Sequence, residues 1–191
     1  MEDLESGVRG RTRRAILAAA AAALAKDRSA TLTDIAEAAD VGRSTVQRYF
    51  AEREELVTAV TLDSLRVLGV ATEEADLGRG EPGEAMRRLV TAMLSVAERV
   101  LYLYGDAEIL ESFGGVDVED EGSAAVRSLI ARGQADGTFD ASADPAWIET
   151  VLWSLVYGAC DAISRGRMPR HGAAATVIRT LENGIAGGGK A

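Results

Sequence analysis

The chain is 191 residues long, 47% hydrophobic and 27% charged, with three prolines, one cysteine and a formal net charge of −9. That length can bury a substantial core, and the lone Cys160 excludes an internal disulfide framework and suits a reducing cytoplasm. Residues 1–10 mix acids with arginine and have no apolar centre, unlike a signal peptide, and no apolar run is long enough to cross a bilayer.

The texture is alanine-rich, apolar positions recur at a 3.6-residue period, and strict alternation of β-branched residues is missing. The expected fold is therefore all-α. Residues 9–26 form the first expected helix, with Ile16, Leu17, Ala20 and Leu24 in one stripe. Arg9, Arg11, Arg13 and Arg14 crowd its first turns, where cations oppose the helix macrodipole. Contact with phosphate is one reason to keep them there; a solvated basic start is the other.

Residues 31–50, TLTDIAEAADVGRSTVQRYF, read as two short helices joined by a tight turn. Thr31 and Asp34 fit a capping box. Leu32, Ile35, Ala36 and Ala39 point inward, the chain reverses at Asp40, Val41 and Gly42, and Val46 and Phe50 form a buried i,i+4 pair. That leaves Arg43, Ser44, Thr45, Gln47, Arg48 and Tyr49 facing outward or sideways, the shape that enters a DNA major groove. Charge is distributed to match: residues 8–50 hold eight Lys/Arg against four Asp/Glu, and residues from Ala51 onward thirteen against twenty-three. A basic head on an acidic body binds phosphate with the head and is oriented by the body's repulsion.

The next expected helix starts near Glu52 and runs to about Glu74, with Leu56, Val57, Val60, Leu65 and Leu68 as its stripe. Residues 76–83 form a turn-rich break in which Gly78, Gly80 and Gly83 spell G-x-G-x-x-G. With a helix before it and Pro82 inside it, the pattern reads as a linker and not a phosphate loop. Residues 84–104 read as one helix, 106–113 as a short helix, 116–122 as an acidic loop and 123–136 as another helix. Asp144 caps a long helix with Pro145 at its first position, ending near Arg165, and a last helix spans about 172–184. The final GGGKA reads as a disordered tail.

Residues 16–60 resemble the N-terminal domain of the TetR family of transcriptional regulators. The matching positions are Ile16 and Leu17, then Thr31, Asp34, Ile35, Ala36 and Ala39, then Val41, Thr45, Arg48, Phe50, Glu54 and Leu56. Asp40 stands where that family usually has glycine, Gly42 replaces a Ser or Thr cap, Gln47 an aromatic residue, Tyr49 a histidine and Arg53 a lysine. The resemblance implies a DNA-binding domain over residues 8–53 and an effector-binding and dimerisation domain over 54–186, dimerised through the last two helices. The expected function is a repressor, acting as a homodimer on a pseudo-palindromic double-stranded DNA operator and released by an unknown small-molecule effector. By position Thr45, Tyr49 and Arg53 are assigned to phosphates and Arg43, Ser44 and Gln47 to base edges, with Thr31 a further expected DNA-binding residue. Arg48 either contacts guanine or pairs with an acid on a neighbouring helix.

An effector cavity is expected between the helices that carry Met93, Tyr102, Phe113, Trp147 and Tyr157, although each also reads as plain core. Asp161, one turn after Tyr157, would fix a cationic effector if buried, or be ion-paired. No cofactor and no metal are expected. The chain has no phosphate loop and no zinc spacing, its single His171 cannot complete a di-metal site with Glu108 and Glu111, and catalysis has no paired nucleophile and base. The alternative to DNA binding is a helical small-molecule-binding or interaction protein in which the groove-facing residues are coincidental.

Overall fold

The computed structural model describes residues 7–106, 109 and 121–185. Among these, nine α-helices follow one another: α1 Val8–Lys26, α2 Leu32–Ala38, α3 Arg43–Tyr49, α4 Arg53–Glu74, α5 Pro82–Ser95, α6 Ala97–Tyr104, α7 Glu121–Ala135, α8 Pro145–Ser164 and α9 Ala173–Ile185. The expected helix over 106–113, most of the acidic loop over 116–122 and the GGGKA tail lie outside the described residues.

The first three helices fold as the local chemistry dictates. Ile16, Leu17, Ala20, Ala21 and Leu24 put one face of α1 into the core. The capping box of α2 is complete: the Thr31 hydroxyl accepts from the Asp34 amide at 3.3 Å, and the Asp34 carboxylate accepts from the Thr31 amide at 2.7 Å. Asp40 then takes a left-handed conformation, φ 52°, which turns the chain into α3. A side chain there costs more than glycine would.

The expected single helix over 84–104 is instead two helices, broken at Val96 (φ −111°, ψ 32°). The Ser95 hydroxyl donates to the Ala92 carbonyl at 2.7 Å, and the Val96 amide reaches Met93 three residues back. Such local side-chain bonding competes with the helical ladder. The turn-rich break expected over 76–83 ends sooner than expected, because Pro82 opens α5 as its first residue. Helix α7 likewise begins two residues early, at Glu121.

The linker between α4 and α5 is held by two arginines. Arg88 donates to the carbonyls of Ala75, Asp76 and Arg79, and Arg132 to those of Leu77 and Gly78. These bonds satisfy backbone acceptors that a loop would otherwise leave to water. At the start of α8 the Asp144 carboxylate accepts from the Ala146 amide at 2.7 Å, with Pro145 behind it. Helix α6 sits at the centre, packing against α1, α4 and α8, while α9 lies against α5 and α8.

Candidate nucleic-acid interface

Helix α3 is held from beneath. Val46 and Phe50 are buried, and the Arg13 guanidinium of α1 lies 5.5 Å above the Phe50 ring. With these two residues as anchors, Arg43, Ser44, Gln47 and Arg48 are left exposed, and Thr45 and Tyr49 half-buried. Neither Arg43 nor Arg48 makes an ion pair among the described residues, so the pairing alternative for Arg48 is not seen. Arg9 and Arg11 are exposed on the first turns of α1, on the helix that Tyr49 touches.

Three of the expected DNA-contacting residues have work inside the protein. The Tyr49 hydroxyl donates to the Arg9 carbonyl at 3.2 Å, which ties α3 to the start of α1. The Thr31 hydroxyl is spent within the capping box. Arg53 donates to the carbonyls of Arg28 (2.5 Å) and Ala30 (3.3 Å). Arg53 is therefore a latch between the start of α4 and the turn leading to α2, and only its remaining N–H groups face water.

The turn that Arg53 holds is gripped from the other side by α6. Arg28 donates to the Tyr102 carbonyl at 2.6 Å, and its guanidinium lies 5.1 Å from the centre of the Tyr102 ring. Arg99, also on α6, is buried at 8% exposure. It donates to the Leu17 carbonyl on α1, the Ser64 hydroxyl on α4 and the Asp63 carboxylate at 2.6 Å. Burial lowers the Arg99 pKa and the neighbouring Asp63 carboxylate opposes that shift. Sequence reasoning did not single out Arg28 or Arg99. A signal existed for Arg99: it falls three residues after Val96 and four before Leu103, within an apolar register.

The expected effector residues do not converge. Met93 is fully buried, and Tyr102 is buried with its hydroxyl 2.9 Å from the Thr61 hydroxyl. Burial pushes the Tyr102 phenol above its ordinary pKa. Both pack as core. Trp147 is 62% exposed on the first turn of α8, so it does not face the interior as expected. Tyr157 is half-buried, and Phe113 lies outside the described residues. Asp161 takes the ion-paired alternative: it accepts from Arg165 at 2.6 Å and Arg167 at 2.5 Å. The hydrogen bond from Arg165 is the largest influence holding its carboxyl below the ordinary range. Among the described residues no group of three His, Cys, Asp or Glu could hold a metal, and no helix is long and apolar enough to cross a membrane.

Residues 16–60, which hold α2, α3 and their supports, match the family described as bacterial regulatory proteins, tetR family. The chain is 37% identical over 182 residues to the HTH-type transcriptional repressor LfrR of Mycolicibacterium smegmatis, covering 95% of this chain and 94% of that protein. The chain belongs to the TetR family. It is 29% identical to the HTH-type transcriptional regulator NfxB of Pseudomonas aeruginosa, over 88% of this chain and 91% of that one. The crystal structure of the TetR-like regulator LfrR from Mycobacterium smegmatis superposes with a TM-score of 0.76 at 36% identity, covering 94% of this chain and 99% of that chain. A second LfrR structure, in complex with proflavine, gives 0.68 at 36% identity, over 92% and 97% of the two chains. As a TetR-family member with an exposed α3, the protein is a DNA-binding transcriptional regulator.

Proposed function

We propose that the protein is a ligand-responsive repressor that acts as a homodimer on a pseudo-palindromic operator. The observation that carries this reading is α3 itself, a helix anchored by Val46 and Phe50 that offers Arg43, Ser44 and Gln47 to solvent in one row. Gln47 suits the N6/N7 edge of adenine and Arg43 the O6/N7 edge of guanine. Thr45, Arg48 and the remaining N–H groups of Arg53 suit phosphates, while Thr31 and Tyr49 hold the flanks of the motif through the capping box and the Arg9 carbonyl. Residues 8–53 serve as the DNA-binding unit and residues 54–186 as the effector-binding and dimerisation unit.

Dimerisation through α8 and α9 is supported by their apolar surface. Trp147 is exposed, and Val151, Leu155 and Ile178 are half-buried in the single chain. Paired about a two-fold axis, the helices would form a four-helix bundle and set the two α3 helices about 34–36 Å apart, one turn of DNA. The proflavine complex of the related repressor favours a flat aromatic effector for this protein too. Tyr157 and the stacked Tyr104–Trp153 pair, with ring centroids 6.0 Å apart, are the side chains best suited to such a ring system. Release follows if the effector binds better to a conformation in which the α3 helices no longer match successive grooves.

Fluorescence anisotropy with a duplex recovered by binding-site selection tests this reading. The expected result is two chains per duplex, with proflavine lowering the affinity. One chain per duplex, or an affinity indifferent to proflavine and to a panel of related aromatic cations, would remove the dimer or the effector from the proposal.

A further inference from the structure

The C-terminal half of α1, the start of α6 and the end of α8 leave a cleft of about 380 Å³ between them. That volume lies within the range of small-molecule sites. The floor is apolar: Leu101 and Cys160 are buried there, and Ile163 and Met168 are half-buried beside them. Burial pushes the Cys160 thiol up to about 12, so the floor presents an un-ionised sulfur and no charge. Three charged side chains stand around it, Lys26 on α1, Glu98 on α6 and Arg170 on the segment leading to α9.

The charges are not equivalent. Glu98 already accepts a hydrogen bond from Arg170 at 2.9 Å. Arg170 spends Nη2 on that bond and keeps its other N–H groups, and Lys26 makes no ion pair among the described residues. Glu98 keeps Oε2 as an acceptor, but a cationic ligand there would sit beside Arg170 and Lys26, whose two positive charges outweigh the one negative charge of Glu98. An anion adds to Arg170 and Lys26 and breaks nothing. We propose that this cleft binds a small amphipathic carboxylate, its head between Lys26 and Arg170 and its apolar part over Leu101, Ile163 and Met168. The occupant touches α1, which carries the N-terminal arginines, and α8 at the same time. This site is separate from the effector site proposed above and does not depend on it.

Isothermal titration of the full chain with sodium decanoate, and with decylammonium chloride at the same chain length, tests the assignment. Decanoate is expected to bind once per chain and more tightly than decylammonium. The Lys26→Gln, Arg170→Gln double variant should weaken decanoate at least tenfold, Ala25→Phe should block the cleft, and Glu98→Gln should leave binding intact or strengthen it. Tighter binding of decylammonium, no binding of decanoate, or decanoate binding unchanged in the double variant would each overturn the proposal. Lys26 and Arg170 are surface residues, so the charge variants decide the matter even if Ala25→Phe fails to fold.

Discussion

Arg99 on α6 donates from Nη1 to the carbonyl oxygen of Leu17 on α1, 3.1 Å away and 82 residues earlier in the chain. The same guanidinium reaches Ser64 and Asp63 on α4. One buried side chain thus joins the helix that supports α3 to the helix that follows it. Replacing Arg99 by alanine leaves Asp63 with Arg66 as its ion-pair partner among the described residues and opens a cavity, at a cost of about 2–4 kcal/mol. Lysine should not rescue it, because a single ammonium cannot present the planar fork that three acceptors on two helices require. Urea denaturation checks both variants; an Arg99→Ala protein as stable as the parent would refute this account of the junction.

Arg53 separates structure from contact. Because it latches the carbonyls of Arg28 and Ala30, Arg53→Ala should cost about 1 kcal/mol of stability and should weaken every DNA sequence alike. Thermal melting and anisotropy on two unrelated duplexes measure the two effects. Loss of affinity for one sequence alone would make Arg53 a base-reading residue instead.

The capping box predicts an acid limb. Hydrogen bonds from the Thr31 backbone and hydroxyl hold the Asp34 carboxyl below its ordinary 3.8. A carboxyl with a lowered folded pKa contributes stability above its unfolded value and loses it as pH falls through the folded one. Asp27, Asp136, Asp140 and Asp161 are shifted in the same direction, chiefly by hydrogen bonds from Ser29, Thr138, Ser142 and Arg165. Stability should therefore fall below about pH 4, and Asp34→Asn should flatten part of that fall. A melting profile flat down to pH 2, or an Asn variant with the parent's slope, counts against the box.

Gly133 sits against Phe139, and a Cβ at that position would overlap the ring. Gly133→Ala should destabilise the α7 region by about 1–3 kcal/mol through overpacking. Phe139→Leu in the same chain should recover part of the loss, since it removes the obstructing ring. Chemical denaturation of the single and double variants tests this; additive losses would show that the ring is not the cause.

What was readable in the sequence is what short-range chemistry decides. The capping box at Thr31 and Asp34, the proline opening α8 and the apolar stripe of α1 each depend on neighbours within a turn or two, and they stand where the pattern puts them. The outward face of α3 was readable for the same reason, because Val46 and Phe50 leave no other face for Arg43, Ser44 and Gln47. The break at Val96 was hidden, since the apolar period runs through it and only the Ser95 hydroxyl marks it. Arg28 and Arg99 escaped, as did the latching role of Arg53, because those roles depend on which carbonyls packing delivers from distant segments. Asp161 and Trp147 show the converse. Helical spacing placed them beside core positions, yet two nearby arginines claim the one and solvent the other.

On the proposed function, the exposed row on α3 reads duplex DNA as a two-fold pair. Binding-site selection with the parent protein and with Gln47→Ala tests it most directly. The expected outcome is an inverted repeat for the parent, with base preference relaxed at one symmetric pair of positions in the variant, each mismatch there worth about 1–3 kcal/mol. An unenriched pool for the parent, or the same selected sequence for both proteins, would contradict it.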